Sequence, residues 1–184
     1  MNFIEELKWR GMIHDMMPGT EEALQKGMAA GYIGFDPTAP SLTIGNFAPV
    51  MLLLHFQRAG HKPIALIGGA TGMIGDPSGK DTERKLLDPE MLKNNEEIIK
   101  KQLSKFLDFN SRSNSAEILN NYDWFKNINT LTFLRDTGKY LTVSYLLSKG
   151  FIKDRLKKGD ISFTEFNYIL MQAYDFLWLL EEKN

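Results

Sequence analysis

Residues 31–46, GYIGFDPTAPSLTIGN, are the stretch that decides the fold we expect. The apolar start predicts a short β-strand over residues 32–35, the middle is a turn rich in proline, threonine and serine, and the end opens a helix. Thr43 and Asn46 are both favoured N-cap residues, and Pro49 is tolerated only near a helix start, so the helix should begin close to them. The face predicted to pack on the core carries Ile44, Phe47, Met51 and Leu54, with Val50 beside them.

A second apolar run, residues 63–67, ends in a glycine-rich segment over residues 68–79. Strand, helix and strand at this spacing predict a βαβ unit, whose helix N-terminus favours anions, so we expect a phosphorylated ligand there. The glycine-rich segment is not a Walker loop, because Ile74 stands where that loop needs glycine and Asp81 where it needs serine or threonine. Its glycines also miss the dinucleotide-binding spacing. A flexible turn and a backbone segment that approaches a ligand closely both remain open.

Composition narrows the class of protein. The chain has 184 residues, enough for a domain with its own core, and a formal net charge of −1, so we expect no overall attraction to nucleic acid or to an anionic membrane. There is no cysteine, which excludes disulfides and thiolate metal sites, and the three histidines are not spaced as zinc ligands. The N-terminus lacks a signal-peptide pattern and no apolar run is long enough to span a membrane, so we expect a soluble, cytoplasmic protein.

The remaining chain predicts further helices and a third strand. We expect helices over residues 2–10, 20–28 and 89–107, and short helical pieces over 130–158. Thr20 is the expected N-cap of the second helix, and Asp88 precedes the third. The core face expected for the third helix carries Met91, Ile98, Leu103 and Phe106. Residues 116–119 predict a third parallel strand, which leaves Asn120, Asn121 and Tyr122 at its carboxyl end, where open α/β sheets bind ligands. The basic residues at 149, 153, 155, 157 and 158 predict a solvated face.

The last predicted helix carries the sharpest local pattern. Ser162 and Glu165 match a capping box at its start. One side is expected to be apolar, with Phe166, Ile169, Leu170, Ala173, Phe176, Leu177 and Leu180. Tyr168, Gln172 and Asp175 form a separate polar stripe. This stripe either faces solvent or presents an acceptor and two adaptable groups to a small polar ligand.

Several segments of the chain closely resemble one family. They are GFDPTAPSLTIGN, GHKPIALIGGATGMIGDPSGK, NNYDWF, TFLRDTGKY and ISFTEFNYILMQAYDF, in this order. Together they resemble the bacterial tyrosyl-tRNA synthetases, a family of class I aminoacyl-tRNA synthetases, over essentially the whole chain. The resemblance implies an α/β fold, a Rossmann-type open parallel sheet flanked by helices, in a homodimer. The implied activity is tyrosine–tRNA ligation, in which L-tyrosine and ATP give tyrosyl-adenylate and pyrophosphate before the tyrosyl group passes to tRNA(Tyr).

The resemblance also implies roles for individual residues. Positions matching the tyrosine pocket are Tyr32, Asp76, Tyr168, Gln172 and Asp175, with Asn121 at its edge. Positions matching the ATP side are Gly34, Asp36, Thr38 and Gly45. Thr43 and Asn46 stand where the family has the two histidines of His-Ile-Gly-His, and Lys80 and Arg84 match a mobile loop near pyrophosphate.

The implied chemistry suits these residue types. The substrate carboxylate is already a nucleophile, so attack on the α-phosphorus needs positioning and charge stabilisation, which Thr43 and Asn46 can supply as neutral hydrogen-bond donors. Because the signature histidines are absent, we expect slower activation rather than a new reaction. Asp175, with Tyr32, can accept the substrate phenol's hydrogen bond, and such a site should reject phenylalanine. Magnesium is expected to accompany ATP, with no protein-borne metal cage visible in the sequence.

Family members continue into a Gly-Gly-Ser-Asp-Gln segment, a Lys-Met-Ser-Lys-Ser loop and a tRNA-binding region, none of which stands in these 184 residues. We therefore expect residues 1–184 to be the N-terminal portion of the catalytic domain, with residues 122–184 helical and supplying a dimer interface and the pocket helix. Alone, this portion is expected to be inactive. Two alternatives remain: a tryptophanyl-tRNA synthetase or nucleotidylyltransferase on the same scaffold, and a non-catalytic fragment that binds tyrosine or dimerises.

Overall fold

A three-stranded parallel sheet forms the centre of the protein. The structure is a computed structural model that describes residues 2–75, 87–111 and 113–183. Strands β1 (Ala30–Phe35), β2 (Lys62–Ile67) and β3 (Glu117–Asn120) lie in the order β1-β2-β3. Tyr32 is paired with Ile64, and Ile67 with Asn120, so the carboxyl ends of the three strands lie at one edge. The predicted α/β fold with an open parallel sheet is confirmed.

Helices flank this sheet. They are α1 (Phe3–Arg10), α2 (Thr20–Gln25), α3 (Ile44–Arg58), α4 (Gly69–Ile74), α5 (Pro89–Leu103), α6 (Tyr122–Phe125), α7 (Thr130–Asp136), α8 (Val143–Ser148), α9 (Gly150–Lys158) and α10 (Phe163–Lys183). Residues 130–158 are helical in short pieces, as predicted, with a 3₁₀ turn at Gly138–Tyr140 between α7 and α8. Within the described residues, no helix combines the length and apolar character needed to cross a membrane.

Some predicted boundaries are wrong. The N-cap of α2 is Gly19 rather than Thr20, because the chain turns there with φ of 85°, a left-handed conformation that favours glycine. The helix expected over residues 89–107 ends at Leu103, although Asp88 caps its start as predicted by accepting a hydrogen bond from the Glu90 N–H. Residues 69–74 of the glycine-rich segment are helical rather than a flexible turn.

The core face of α3 differs from the predicted stripe. Ile44 is 89% exposed and Phe47 is 47% exposed, whereas Val50, Leu53 and Phe56 are buried. Since residues advance by about 100° around a helix, Leu53 lies roughly opposite Ile44. The helix is apolar on most sides, so periodicity alone did not reveal which side meets the sheet.

The apolar side predicted for α10 is also partly wrong. Phe176, Leu177 and Leu180 are exposed, and Leu179 is buried instead. Leu179 packs with Ile64, Leu66 and Trp124, supported by the partly buried Tyr32, Leu119, Phe125, Tyr174 and Trp178. The same side of the helix therefore buries Asp175, which needs the polar partners described below.

A second core cluster lies between the sheet, α3 and α5. Its buried members are Phe35, Val50, Leu53, Ala65, Ile67, Ile99, Leu103, Leu107 and Ala116. In α5 the expected face is only partly correct, because Leu103 is fully buried while Met91 is exposed; Phe106, also exposed, lies beyond the end of the helix. The buried positions follow Leu92, Ile99 and Leu103, a stripe displaced by one residue from Met91 and Ile98.

Truncating Leu103 should test this assignment of the core face. We expect Leu103→Ala to lower the free energy of unfolding by about 2–5 kcal/mol, because it leaves a cavity beside Ile67 and Ile99. Met91→Ala, in the same helix, should change it by less than about 0.5 kcal/mol. Urea unfolding followed by circular dichroism measures both, and equal losses would contradict the assignment.

Candidate active site

A cavity of about 300 Å³ opens at the carboxyl edge of the sheet. It lies beyond the end of β1, between the start of α4 and the middle of α10. Its walls are Tyr32, Gly34, Phe35, Asp36, Thr38, Asn46, Leu66, Gly68, Thr71, Asn121, Tyr168, Gln172 and Asp175. Most of these side chains are polar, and they come from five separate parts of the chain, so the cavity offers several hydrogen-bonding groups to a small polar ligand.

Asp175 is the buried acceptor of this cavity. Its side chain is on α10 and only 3% exposed. The Asn121 Nδ2 atom donates to one carboxylate oxygen at 3.1 Å, and the Trp124 Nε1 atom donates to the other at 3.0 Å. Trp124 is itself held by stacking on Trp178, with ring centroids 4.1 Å apart. The carboxylate is therefore fixed in orientation by two donors before any ligand arrives.

The ionisation of the site follows from burial. Burial raises the pKa of Asp175 to about 6, against the lowering effect of the hydrogen bonds from Asn121 and Trp124, and the nearby Asp36 carboxylate raises it further. Burial also raises the pKa of Tyr32 well above its usual range, with a contribution from the Asp175 charge. Tyr32 therefore stays a neutral phenol, while Asp175 is an ionised acceptor at neutral pH.

A second polar group centres on Asp36, directly after β1. The Tyr168 hydroxyl donates to one Asp36 oxygen at 2.9 Å, and the Thr71 hydroxyl donates to the other at 2.7 Å. Gly68 lies against the same carboxylate, and a Cβ added there would come 1.8 Å from Asp36 Oδ1. Only glycine leaves room for this carboxylate, so the wall at residue 68 is backbone.

Two consecutive asparagines tie β3 to the start of α4. Asn121 Oδ1 accepts from the Ala70 N–H at 2.8 Å, and its Nδ2 donates to Thr71 as well as to Asp175. Asn120 Oδ1 accepts from the Gly69 N–H at 3.2 Å. Since orphan N–H groups at a helix start need acceptors, these side chains act as caps supplied from the neighbouring strand.

The N-terminus of α3 forms a separate corner. Asn46 Oδ1 accepts from the backbone N–H and from the hydroxyl of Thr43, both at 2.9 Å. Asn46 lines the cavity, whereas Thr43 and Gly45 do not. Thr43 and Asn46 instead share the wall of a neighbouring, mainly apolar depression that includes Ile44, Phe47 and Phe106.

Most of the residues expected at the site therefore lie together. Those that line the cavity are Tyr32, Gly34, Asp36, Thr38, Asn46, Asn121, Tyr168, Gln172 and Asp175. Asp76, Lys80 and Arg84 lie outside the described residues. The solvent-facing alternative for the polar stripe of α10 is wrong for Asp175, which is buried; all three stripe residues border the cavity, and Gln172 is also exposed to solvent.

Sequence reasoning assigned no site role to Thr71, Gly68 or Trp124. Thr71 and Gly68 lie in the glycine-rich segment. The glycines of that segment could have indicated that the backbone lies close to another group, which at Gly68 is the Asp36 carboxylate. Trp124 carried a weaker signal. A buried indole N–H needs an acceptor, and Asp175 is that acceptor.

The chain belongs to the class I tRNA synthetases of the tryptophan and tyrosine group. The family model described as "tRNA synthetases class I (W and Y)" matches residues 25–182. This result agrees with the resemblance stated from the sequence and with the parallel sheet and its cavity at the carboxyl edge.

The relatives within this family carry a more specific name. A tyrosine–tRNA ligase of Cytophaga hutchinsonii is 61% identical over 183 residues, which is 100% of this chain and 43% of that protein. A tyrosine–tRNA ligase of Bacteroides fragilis is 60% identical over all of this chain and 44% of its own length. The chain thus spans less than half the length of these relatives.

The fold likeness extends to solved structures. A C-terminally truncated mitochondrial tyrosyl-tRNA synthetase of Aspergillus nidulans matches with a TM-score of 0.85 and 31% identity, over 97% of this chain and 54% of that one. A tyrosyl-tRNA synthetase of Archaeoglobus fulgidus, complexed with L-tyrosine, matches with a TM-score of 0.56 and 17% identity, over 86% of this chain and 47% of that one. At that identity the second likeness concerns the fold alone.

The raised pKa of Asp175 predicts a specific pH dependence of stability. Between about pH 4 and pH 6 the folded protein keeps a proton on Asp175 that the unfolded chain has released, so stability from this group is lost as the pH rises through this window. Wild type should therefore lose about 2 kcal/mol more unfolding free energy than Asp175→Asn between pH 4 and pH 7. Urea unfolding of both proteins at each pH tests this, and parallel curves would contradict it.

Proposed function

We propose that this chain carries the tyrosine-binding and activating site of a tyrosine–tRNA ligase. The proposed reaction joins L-tyrosine to ATP as tyrosyl-adenylate, releases pyrophosphate and then transfers the tyrosyl group to tRNA(Tyr). Family membership, the two relatives named as tyrosine–tRNA ligases and the polar cavity support this proposal. The observation that carries it is the buried carboxylate of Asp175 in a cavity shared with Tyr32 and Tyr168.

In this proposal the phenol of L-tyrosine lies at the Asp175 end of the cavity. Its hydroxyl donates to Asp175, with Tyr32 as a neutral second partner. The substrate ammonium lies near Tyr168 and Gln172, and Asp76 is assigned to it by family resemblance. A charged carboxylate that is already held by Asn121 and Trp124 gives a strong hydrogen bond with little reorganisation.

The nucleotide is proposed to lie along the start of α3, on the side of Gly34, Asp36, Thr38 and Gly45. The tyrosine carboxylate attacks the α-phosphorus, a P–O bond forms, and the bond to pyrophosphate breaks. Thr43 and Asn46, with the positive end of the α3 dipole, are proposed to stabilise the charge on phosphate oxygens. Lys80 and Arg84 are assigned to the departing pyrophosphate by family resemblance.

Magnesium is proposed to accompany the nucleotide rather than to occupy a protein cage. In the part of the chain that the structure describes, no group of three or more His, Cys, Asp or Glu side chains could hold a metal ion. Magnesium usually keeps several waters and binds through substrate phosphates. In this proposal the chain's own residues orient the two substrates and donate hydrogen bonds to the phosphate oxygens.

Binding of two amino acids that differ by one hydroxyl tests the tyrosine pocket. We expect L-tyrosine to bind with at least roughly tenfold higher affinity than L-phenylalanine, because phenylalanine leaves the Asp175 carboxylate buried without its ligand partner. Asp175→Asn should weaken tyrosine binding while changing phenylalanine binding little. Isothermal titration calorimetry measures the affinity of wild type and of Asp175→Asn for each of the two amino acids. Glu182→Gln, on the exposed side of α10, is the control.

Equal affinity for tyrosine and phenylalanine in the wild type would overturn the pocket assignment. Tighter binding of L-tryptophan than of L-tyrosine would favour the tryptophanyl-tRNA synthetase alternative, which the family description includes. Tyrosine-dependent exchange of pyrophosphate into ATP by this chain itself would exclude the non-catalytic alternative.

We also propose that a second copy of the chain covers an apolar surface on the helices after α6. The exposed apolar side chains of this surface are Leu131, Leu134, Tyr140, Val143, Leu147, Leu156 and Phe163. A concentration of exposed apolar side chains in one part of a chain is consistent with a protein interface. The homodimer implied by the family resemblance supports this choice of partner.

Charge introduced into this surface should abolish the dimer. Leu131 is 79% exposed and Val143 is 61% exposed, so Leu131→Glu and Val143→Glu should leave the fold intact while placing a charge in the proposed interface. Sedimentation velocity should give a dimer for wild type and a monomer for either variant. Trp9→Glu, on the 72%-exposed side chain of α1, is the control. A monomeric wild type at micromolar concentration would contradict the proposal.

A further inference from the structure

A buried ion pair joins α9 to the start of α10. Arg155 Nε donates to Glu165 Oε1 at 3.4 Å, and Arg155 Nη2 donates to Glu165 Oε2 at 3.3 Å. The two side chains are only 6% and 3% exposed. The sequence pattern assigned Arg155 to a solvated basic face, and this assignment is wrong. Burial of two charges is costly unless they are paired, so the pair must be made whenever this part of the chain is folded.

Glu165 also completes the capping box at the start of α10. The Ser162 N–H donates to Glu165 Oε2 at 3.2 Å, and the Glu165 N–H donates to Ser162 Oγ at 3.2 Å, as the sequence predicted. One carboxylate therefore contacts α9, the connection before α10 and the first turn of α10. These contacts fix where α10 begins and how it is rotated about its axis.

The rotation of α10 matters because Tyr168 follows Glu165 by three residues. Side chains three positions apart lie on the same face of a helix. The Tyr168 hydroxyl must reach Asp36 at the end of β1, where the bond measures 2.9 Å. A small rotation or shift of the first turns of α10 would move this hydroxyl away from the Asp36 carboxylate.

The other end of α10 is held by a different ion cluster. Glu117 on β3 pairs with Lys183 at 2.7 Å and also with Lys62. These side chains are between 25% and 30% exposed. Lys183 lies 15 residues beyond Tyr168, or roughly 22 Å along the helix. This cluster anchors the same helix without being near the cavity.

We propose that Arg155 and Glu165 are a positioning pair that sets the Tyr168 hydroxyl for the ammonium group of an amino acid ligand. The inference rests on the proposed function, because Tyr168 is there assigned to the substrate ammonium. The pair does not touch the ligand and acts through Tyr168. The phenol end of the cavity, at Asp175, lies two turns further along α10, where Asn121 and Trp124 hold the carboxylate directly.

The test uses a variant that removes both charges together. Arg155→Met with Glu165→Gln leaves no buried charge unpaired, and glutamine still completes a capping box. We expect this double variant to bind L-tyrosine roughly tenfold more weakly, as for a lost hydrogen bond to a charged group. Binding of 3-(4-hydroxyphenyl)propanoate, which lacks the ammonium group, should change by less than about threefold. Calorimetry measures both affinities, and Glu117→Gln is the control that should leave their ratio unchanged.

A second measurement requires no ligand. With tyrosine labelled by ¹³C at the ζ-carbon and Tyr168→Phe used for assignment, the Tyr168 resonance should shift in the double variant and not in Glu117→Gln. Arg155→Lys keeps the charge but loses the guanidinium fork. Its ratio of L-tyrosine affinity to 3-(4-hydroxyphenyl)propanoate affinity should lie between those of wild type and the double variant. An unchanged ratio together with an unchanged Tyr168 resonance in the double variant would overturn the positioning role. Wild type that binds both ligands equally would instead overturn the proposed ammonium site, and with it this inference.

Discussion

The structure depends on the burial of a carboxylate in the wall of a cavity. Asp175 is 3% exposed, and such a group is tolerated only when its lone pairs are met by donors. The two donors, Asn121 and Trp124, come from the end of β3 and from α6. The hydrogen bonds that Asp175 requires therefore fix the position of α10 relative to the end of β3 and to α6.

The same requirement extends to the other side of the cavity. Asn121 also accepts from the Ala70 N–H and donates to Thr71, and Thr71 in turn donates to Asp36. Asp36 accepts from Tyr168, which returns the network to α10. The two carboxylates are linked through Asn121, which donates to Asp175 and to Thr71, and through Thr71, which donates to Asp36. A polar network of this kind favours a single arrangement of the cavity walls.

The parts of this design that follow local rules could be predicted from the sequence. The three strands, the capping box at Ser162 and the position of Asn121 after β3 all depend on residues near one another in the chain. The packing faces of α3 and α10 could not be predicted, because both helices are apolar on more than one side. Arg155 was misassigned for a related reason. Its partner Glu165 lies on the next helix, so its burial depends on tertiary contacts.

The residues of the site could likewise be predicted only in part. The stripe of Tyr168, Gln172 and Asp175 was visible from helical spacing, but only the fold decides that it borders a cavity rather than solvent. The family resemblance supplied residue roles that spacing alone left open. Thr71 and Trp124 went unassigned because they act on other side chains, and a sequence pattern does not reveal such indirect contacts.

Gly68 has a consequence for redesign of the cavity. Any side chain there would collide with Asp36, so this wall is closed to substitution even though it borders the ligand space. A library meant to alter the accepted amino acid would gain nothing from randomising this position, and every non-glycine member would displace a carboxylate that also orients Tyr168. Adaptation of the cavity to larger or differently shaped amino acids must therefore come from positions where side chains rather than main chain form the wall, such as those on α10.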